Sequence, residues 1–172
     1  RRNPEARQVA VRASGLLREA IREARNIMND LHPTGLDEFG VVPLIRQELQ
    51  RFQDATGCQT SFDSGYAARL HRNVEVALYR IFHEALINIG KHAATTTKVI
   101  VTLEKMGNSV HLRIQDNGPG FDVDAARRRP GVGGLLSMER RAEIMGGSFG
   151  VTSNSGRGTT VTVGLPVASP VR

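Results

Sequence analysis

Asp116 ends an alternating run, Val110-His111-Leu112-Arg113-Ile114-Gln115, and is followed by Asn117-Gly118-Pro119-Gly120. The period of two puts Val110, Leu112 and Ile114 on one face of a strand, so the carboxylate is expected where a sheet ends. Held there, a carboxylate accepts hydrogen bonds and donates none, which suits a ligand edge that offers an amine, such as the N6 group of adenine. Gly118 and Gly120 would let the backbone come close to such a ligand. The same residue types dominate plain turns, so this stretch alone leaves both readings open.

A second polar set, Glu84, Asn88 and Lys91, recurs at four- and three-residue steps and therefore lines one side of a helix. Apolar residues surround it, so the stripe either faces a cleft or is a wet helix face. The side-chain carbonyl of Asn88 suits a hard cation such as Mg²⁺, which keeps waters and shares phosphate oxygens. His83-Glu84 begins like the zinc motif His-Glu-x-x-His, but position 87 is Ile and the motif fails. A third stretch, Phe121 to Gly134, is rich in Gly and Arg and runs into a helix expected from Leu135 to Met145. Glycines ahead of a helix N-terminus make an anion site, because free N–H groups and the helix dipole favour phosphate; the alternative is a surface loop. Neither Gly-x-x-x-x-Gly-Lys-Ser/Thr nor a strand-to-helix Gly-x-Gly-x-x-Gly/Ala occurs, so other nucleotide folds are set aside.

The elements that would position these groups follow from periodicity. A helix is expected from Ala6 to Leu31, with an apolar stripe that wants a partner in a bundle or dimer, up to a break at His32-Pro33-Thr34-Gly35. Helices follow at Val42–Ala55, closed by Gly57, and at Asn73–Ala93, with a short strand Cys58–Phe62 between them. Thr97–Leu103 and Ser109–Gln115 read as a hairpin, and Ser148–Ser153 with Gly158–Leu165 as two last strands. Residues 1–33 thus form a helix and junction, 34–166 a compact domain, and 167–172 a tail.

Composition narrows the class. The 172 residues suffice for one domain with an appendage, and no apolar run approaches the roughly 20 residues that cross a bilayer. The segment is expected to be cytoplasmic without direct membrane contact; an inner-membrane anchor in a longer parent stays open. The net charge is +6, yet the basic residues of the first 28 positions alternate with Glu5, Glu19 and Glu23, aromatics are 5% and Trp is absent. That pattern argues against nucleic acid and for a phosphate-bearing ligand or an acidic partner. Cys58 is the only cysteine, which excludes an internal disulfide and a multi-Cys zinc site; it is expected as a small buried hydrophobe.

Glu84-x-x-x-Asn88, Asp116-x-Gly118-x-Gly120, a glycine-rich lid and Gly156-x-Gly158-Thr159 occur in an order that resembles the ATP-binding domain of sensor histidine kinases. That domain belongs to the superfamily that includes gyrase, the heat-shock protein of 90 kDa and the mismatch-repair ATPases. The likeness covers about Leu16 to Pro166. The junction Asn29 to Gly40 looks like that of the nitrate-sensor and desaturase-regulator type, with His32 where Arg is usual. The resemblance implies an α+β, two-layer Bergerat sandwich, a mixed sheet with helices on one face, preceded by the second helix of a dimerisation hairpin.

It further implies that Asp116 accepts from adenine, aided through water by Thr159, and that Gly118 and Gly120 pass close to the base. Asn88 would hold Mg²⁺, Glu84 would orient or deprotonate the attacking group, and Lys91 and His92 would meet the phosphates of ATP. So would the lid, Gly131, Gly133, Gly134 and Leu135, although Gly-Val-Gly-Gly-Leu departs by one residue from the commoner Gly-x-Gly-Leu. The phosphoryl acceptor would be a histidine on a missing helix, because His32, His71, His83, His92 and His111 are outside the acceptor motif. A homodimeric parent and a response regulator are the implied partners. Rival readings are an anti-sigma-type serine kinase, a gyrase-like ATPase and an interaction module without kinase activity.

Overall fold

The computed structural model describes residues 35–167 apart from 67, 94 and 129–132, without the side chains at 128 and 133. The helix expected from Ala6 to Leu31, its junction through Thr34, the last five residues of the tail and Gly131 lie outside the described residues. In order, the elements are α1 Leu36–Phe39, α2 Val41–Thr56, β1 Gln59–Ser64, α3 Arg72–His92, β2 Lys98–Met106, β3 Ser109–Asp116, α4 Val123–Arg128, α5 Gly133–Ile144, β4 Ser148–Ser153 and β5 Thr159–Pro166.

The class is α+β. Five strands form one sheet in the order β1-β2-β3-β5-β4, with β1 parallel to β2 and every other pair antiparallel. Alternation decides which face is covered. Val99, Val101 and Leu103 of β2, Val110, Leu112 and Ile114 of β3, and Val161, Val163 and Leu165 of β5 are buried, whereas Lys98, His111, Arg113 and Gln115 are exposed. The covered face carries α3, whose Val74, Leu78, Ile81, Phe82, Ala85 and Ile89 are buried at helical spacing. Full burial of each large apolar side chain stabilises the fold by about 1.5–3 kcal/mol. The sheet end and α3 are thereby fixed relative to each other, and they carry the acid and the amide of interest.

Glu75 is 1% exposed, one of two buried charged side chains among the described residues. Its Oε1 accepts from Arg69 Nε at 3.0 Å and from the Leu70 N–H at 3.2 Å, and its Oε2 accepts from Arg69 Nη2 at 2.9 Å. The same guanidinium donates to the carbonyls of Leu36 and Asp37 at 3.1 Å each. One cation therefore satisfies a buried anion and ties α1 to the start of α3.

The structure departs from the sequence-based reading in three places. The stretch expected as a loop from Phe121 to Gly134 contains α4, because Asp122 Oδ1 accepts from the Ala125 N–H at 2.9 Å and so caps a helix start. An unanticipated single turn, α1, fits between Gly35 and Gly40, which both hold positive φ, 87° and 80°. The β2–β3 hairpin is tighter than expected: β2 runs on to Met106, and Gly107 at φ 60° lets two residues turn the chain.

Candidate functional site

Asp116 is 6% exposed and pairs in register with Val99 on one side and Thr159 on the other, so it is gripped by the middle of the sheet. Its Oδ1 accepts from the Gly118 N–H at 2.8 Å. Burial pushes its carboxyl above the usual carboxylate range, while the N–H groups of Gly118 and Thr159 pull less strongly the other way. A carboxylate has about four acceptor positions, so this partly satisfied group retains capacity for a ligand amine.

The turn after Asp116 is built by neighbours brought from afar. Asn117 Oδ1 accepts from the Thr97 and Lys98 N–H groups at 3.0 and 2.9 Å, and its Nδ2 donates to Thr97 Oγ1 at 2.9 Å. Gly120 sits at φ 63°, and a Cβ there would run into the Asn154 carbonyl; the Gly156 N–H donates to the Pro119 carbonyl at 2.6 Å. A Cβ at Gly118 would crowd Thr96 Oγ1, Ala93 Cβ and Asp116 Oδ1. The close approach for which these glycines are needed is, in this structure, to the protein's own atoms.

Asp116 opens into a cleft of about 480 Å³ between α3, the ends of β3 and β5, and α4 with α5. That size suits a small organic ligand. Glu84, Asn88, Lys91, His92, Gly120, Gly134, Leu135 and Thr159 line the same cleft. Ala93, beside Asp116 at the end of α3, stands roughly 7 Å along the helix from Asn88 and about 13 Å from Glu84 at 1.5 Å per residue. Acceptor and polar stripe are thus spread along the cleft on the scale of a nucleoside and its phosphates.

Gly134 meets the stripe directly: a Cβ there would collide with Glu84 Oε1 and lie 3.1 Å from Asn88 Nδ2. Lacking a Cβ, Gly134 lets the first turn of α5 close on these two side chains as they stand, and the free N–H groups of that turn favour an anion. Arg127 of α4 braces the same helix through paired bonds to Glu139, both 3.1 Å. Glu84 and Asn88 together offer two oxygen donors, and no cluster of three His, Cys, Asp or Glu side chains able to hold a metal occurs among the described residues. This donor set fits Mg²⁺, which takes the rest of its shell from phosphate and water.

His83 is not among the residues that line the cleft. Its ring stacks on Tyr79 at 5.8 Å and its Nδ1 lies 3.6 Å from Glu48 Oε1. Cys58 is buried as expected, its thiol pushed up first by burial and then by the charge of Asp116. Gly118 does not line the cleft but fixes Asp116, and Gly133 opens α5. The apolar walls, Ala85, Ile89, Ile114, Phe121, Met138 and Val161, were not anticipated as site residues. For Ala85, Ile89 and Ile114 the signal was present in the core stripes of α3 and β3, because the wall of the cleft is the uncovered end of the core.

The fold and this cleft define a class. Residues 73–169 match the family model described as histidine kinase-, DNA gyrase B-, and HSP90-like ATPase, and the chain belongs to that family. Among curated relatives it is similar to the signal transduction histidine-protein kinase/phosphatase DegS of Brevibacillus brevis, 30% identical over 155 residues, or 90% of this chain and 39% of that protein. It is also similar to the oxygen sensor histidine kinase NreB of Staphylococcus carnosus (strain TM300), 30% identical over 157 residues, or 91% of this chain and 45% of that protein. The chain thus spans less than half the length of these relatives. Among solved structures, the histidine kinase domain of the Erythrobacter litoralis EL346 blue-light activated histidine kinase shares the fold, with a TM-score of 0.55 at 16% identity over 72% of this chain and 59% of that one.

Proposed function

We propose that this chain holds the ATP-binding catalytic region of a sensor histidine kinase of the nitrate-sensor and desaturase-regulator type. The observation that carries the reading is that Asp116, Asn88 and Glu84 share one cleft, with Gly134 at the start of α5 seated against the last two. Asp116 accepts from the N6 amine of adenine. The free N–H groups of Gly133, Gly134 and Leu135 donate to phosphate oxygens, and Lys91 and His92 meet the phosphates. Asn88 would hold Mg²⁺, which when bound shields phosphate charge. Glu84 receives the proton of an incoming imidazole or orients it. The bond between the γ-phosphorus and its bridging oxygen breaks, a nitrogen–phosphorus bond forms, and ADP leaves. Such a transfer depends on positioning and charge stabilisation more than on covalent help.

The acceptor is a histidine on the first helix of the hairpin whose second helix is expected from Ala6 to Leu31, and that hairpin makes the parent a homodimer. The phosphoryl group passes on to a response-regulator aspartate, and the region works in the cytoplasm. Incubation with γ-labelled ATP and Mg²⁺ tests the assignment. Acid-labile label on a histidine of the parent, and none on this chain alone, is expected. Label on serine, or free phosphate with no protein label, would overturn it in favour of the serine-kinase or ATPase reading.

A further inference from the structure

One wall of the cleft is carried by α4 and α5, through Ala126 on the first and Gly134, Leu135 and Met138 on the second. α4 has six residues, well short of the roughly 12 at which an isolated helix becomes even marginally stable, so contacts elsewhere must hold it in place. Its inward contact is Ala126, which packs against the core. Its outward contact is Arg127.

Arg127 and Glu139 each follow a wall residue directly, Ala126 on α4 and Met138 on α5, and they join the two helices. Arg127 Nη1 donates to Glu139 Oε2 and Nη2 to Oε1, both at 3.1 Å, so the guanidinium and the carboxylate meet fork to fork across twelve positions of chain. A single exposed ion pair is worth little, but these side chains are only 44% and 24% exposed and two parallel bonds fix one geometry. Leu135 stands one turn before Glu139 on the same side of α5, so what fixes Glu139 also fixes the first turn. That turn is the part of α5 seated against Glu84 and Asn88.

We propose that Arg127 and Glu139 are positioning residues for the nucleotide: their forked pair buckles α4 to α5 and so holds, before any ligand arrives, the wall and the first turn that receives the phosphates. Neither residue lines the cleft, so both act through that wall. Without the buckle the nucleotide itself must order the two helices, and the cost of doing so is subtracted from its affinity. The inference rests on the ATP reading of the cleft. A purely electrostatic role predicts the opposite sign at one position. If Arg127 only attracted phosphate by its charge, removing the Glu139 carboxylate would strengthen ATP binding, whereas a broken buckle weakens it.

The test is calorimetric titration of the wild type, Arg127→Gln, Glu139→Gln, the double Gln variant and Asp116→Asn with Mg-ATP and with adenosine. Each single Gln variant should bind Mg-ATP about threefold to fivefold more weakly, the worth of one well-formed, partly exposed pair. Adenosine, which has no phosphate to reach the first turn of α5, should lose less. The double variant should lose no more than either single one, because both changes break the same contact. Unchanged or tighter Mg-ATP binding by Glu139→Gln, or losses that add in the double variant, overturns the proposal. Should the Gln variants fail to fold, Arg127→Lys carries the test, since it keeps the charge and loses the fork: weaker Mg-ATP binding is expected, and wild-type affinity overturns the proposal. Asp116→Asn separates the two claims. If it binds Mg-ATP as the wild type does, the ATP reading of the cleft fails, whereas loss there with wild-type affinity in both single Gln variants removes only the buckle.

Discussion

Replacing Asp116 by Asn should weaken ATP binding and leave the empty protein no less stable, a combination that a purely structural acid would not give. The substitution keeps the size of the side chain and an acceptor for the Gly118 N–H. It removes the charge and can turn an N–H towards the purine amine. A hydrogen bond to a charged group contributes about 1.5–3 kcal/mol, so a tenfold loss, about 1.4 kcal/mol, is the minimum expected. Stability runs the other way. Burial raises the Asp116 carboxyl, so the folded protein holds that proton more tightly than the unfolded chain does. The stabilisation from this linkage is complete below the unfolded pKa and is lost as pH rises through the folded one, so at neutral pH the ionised group weighs against folding. Asn is neutral at every pH and lifts that penalty. Titration with Mg-ATP and a thermal melt of the empty protein read the two effects. Affinity within about twofold of wild type, or a lowered melting temperature that accounts for the lost binding, would refute the reasoning.

The same shift makes ATP affinity of the wild type fall on acidification from a higher pH than an ordinary carboxylate would impose, because protonated Asp116 no longer accepts on that oxygen; binding measured against pH should lose this step in Asp116→Asn. Asn88→Ala should abolish the gain in affinity that Mg²⁺ confers while leaving metal-free binding nearly unchanged, as titrations with and without Mg²⁺ would reveal. Gly120→Ala puts a Cβ at φ 63° against the Asn154 carbonyl and should cost about 2 kcal/mol or more, read from the urea midpoint. Cys58, buried with a raised thiol pKa, should react with alkylating reagents at neutral pH only when denaturant is present.

What was legible in the sequence is what local periodicity controls. Alternation in Val110–Ile114 and helical spacing in Val74–Ile89 gave the sheet face and α3, and the same spacings put Asp116 at a strand end and Glu84 with Asn88 on one helix side. Long-range matters stayed hidden. Arg-rich composition masked the single cap, Asp122, that starts α4. The burial of Glu75 depends on the fold, which brings Arg69 and Leu70 over it. The need for glycine at 120 comes from Asn154, a residue on a distant hairpin. The 2.9 Å contact between the Ser153 and Thr159 hydroxyls spans the β4–β5 pair and could not be inferred from either residue by itself. Gly131, whose phosphate role follows from the resemblance alone, lies outside the described residues.

The most direct test is a crystal structure of this chain with a non-hydrolysable Mg-ATP analogue. The account predicts the purine amine within hydrogen-bond distance of the Asp116 carboxylate, the Asn88 side-chain oxygen on the metal, and the phosphates at the first turn of α5. A purine seated away from Asp116, or phosphates remote from both Asn88 and Gly134, would contradict it.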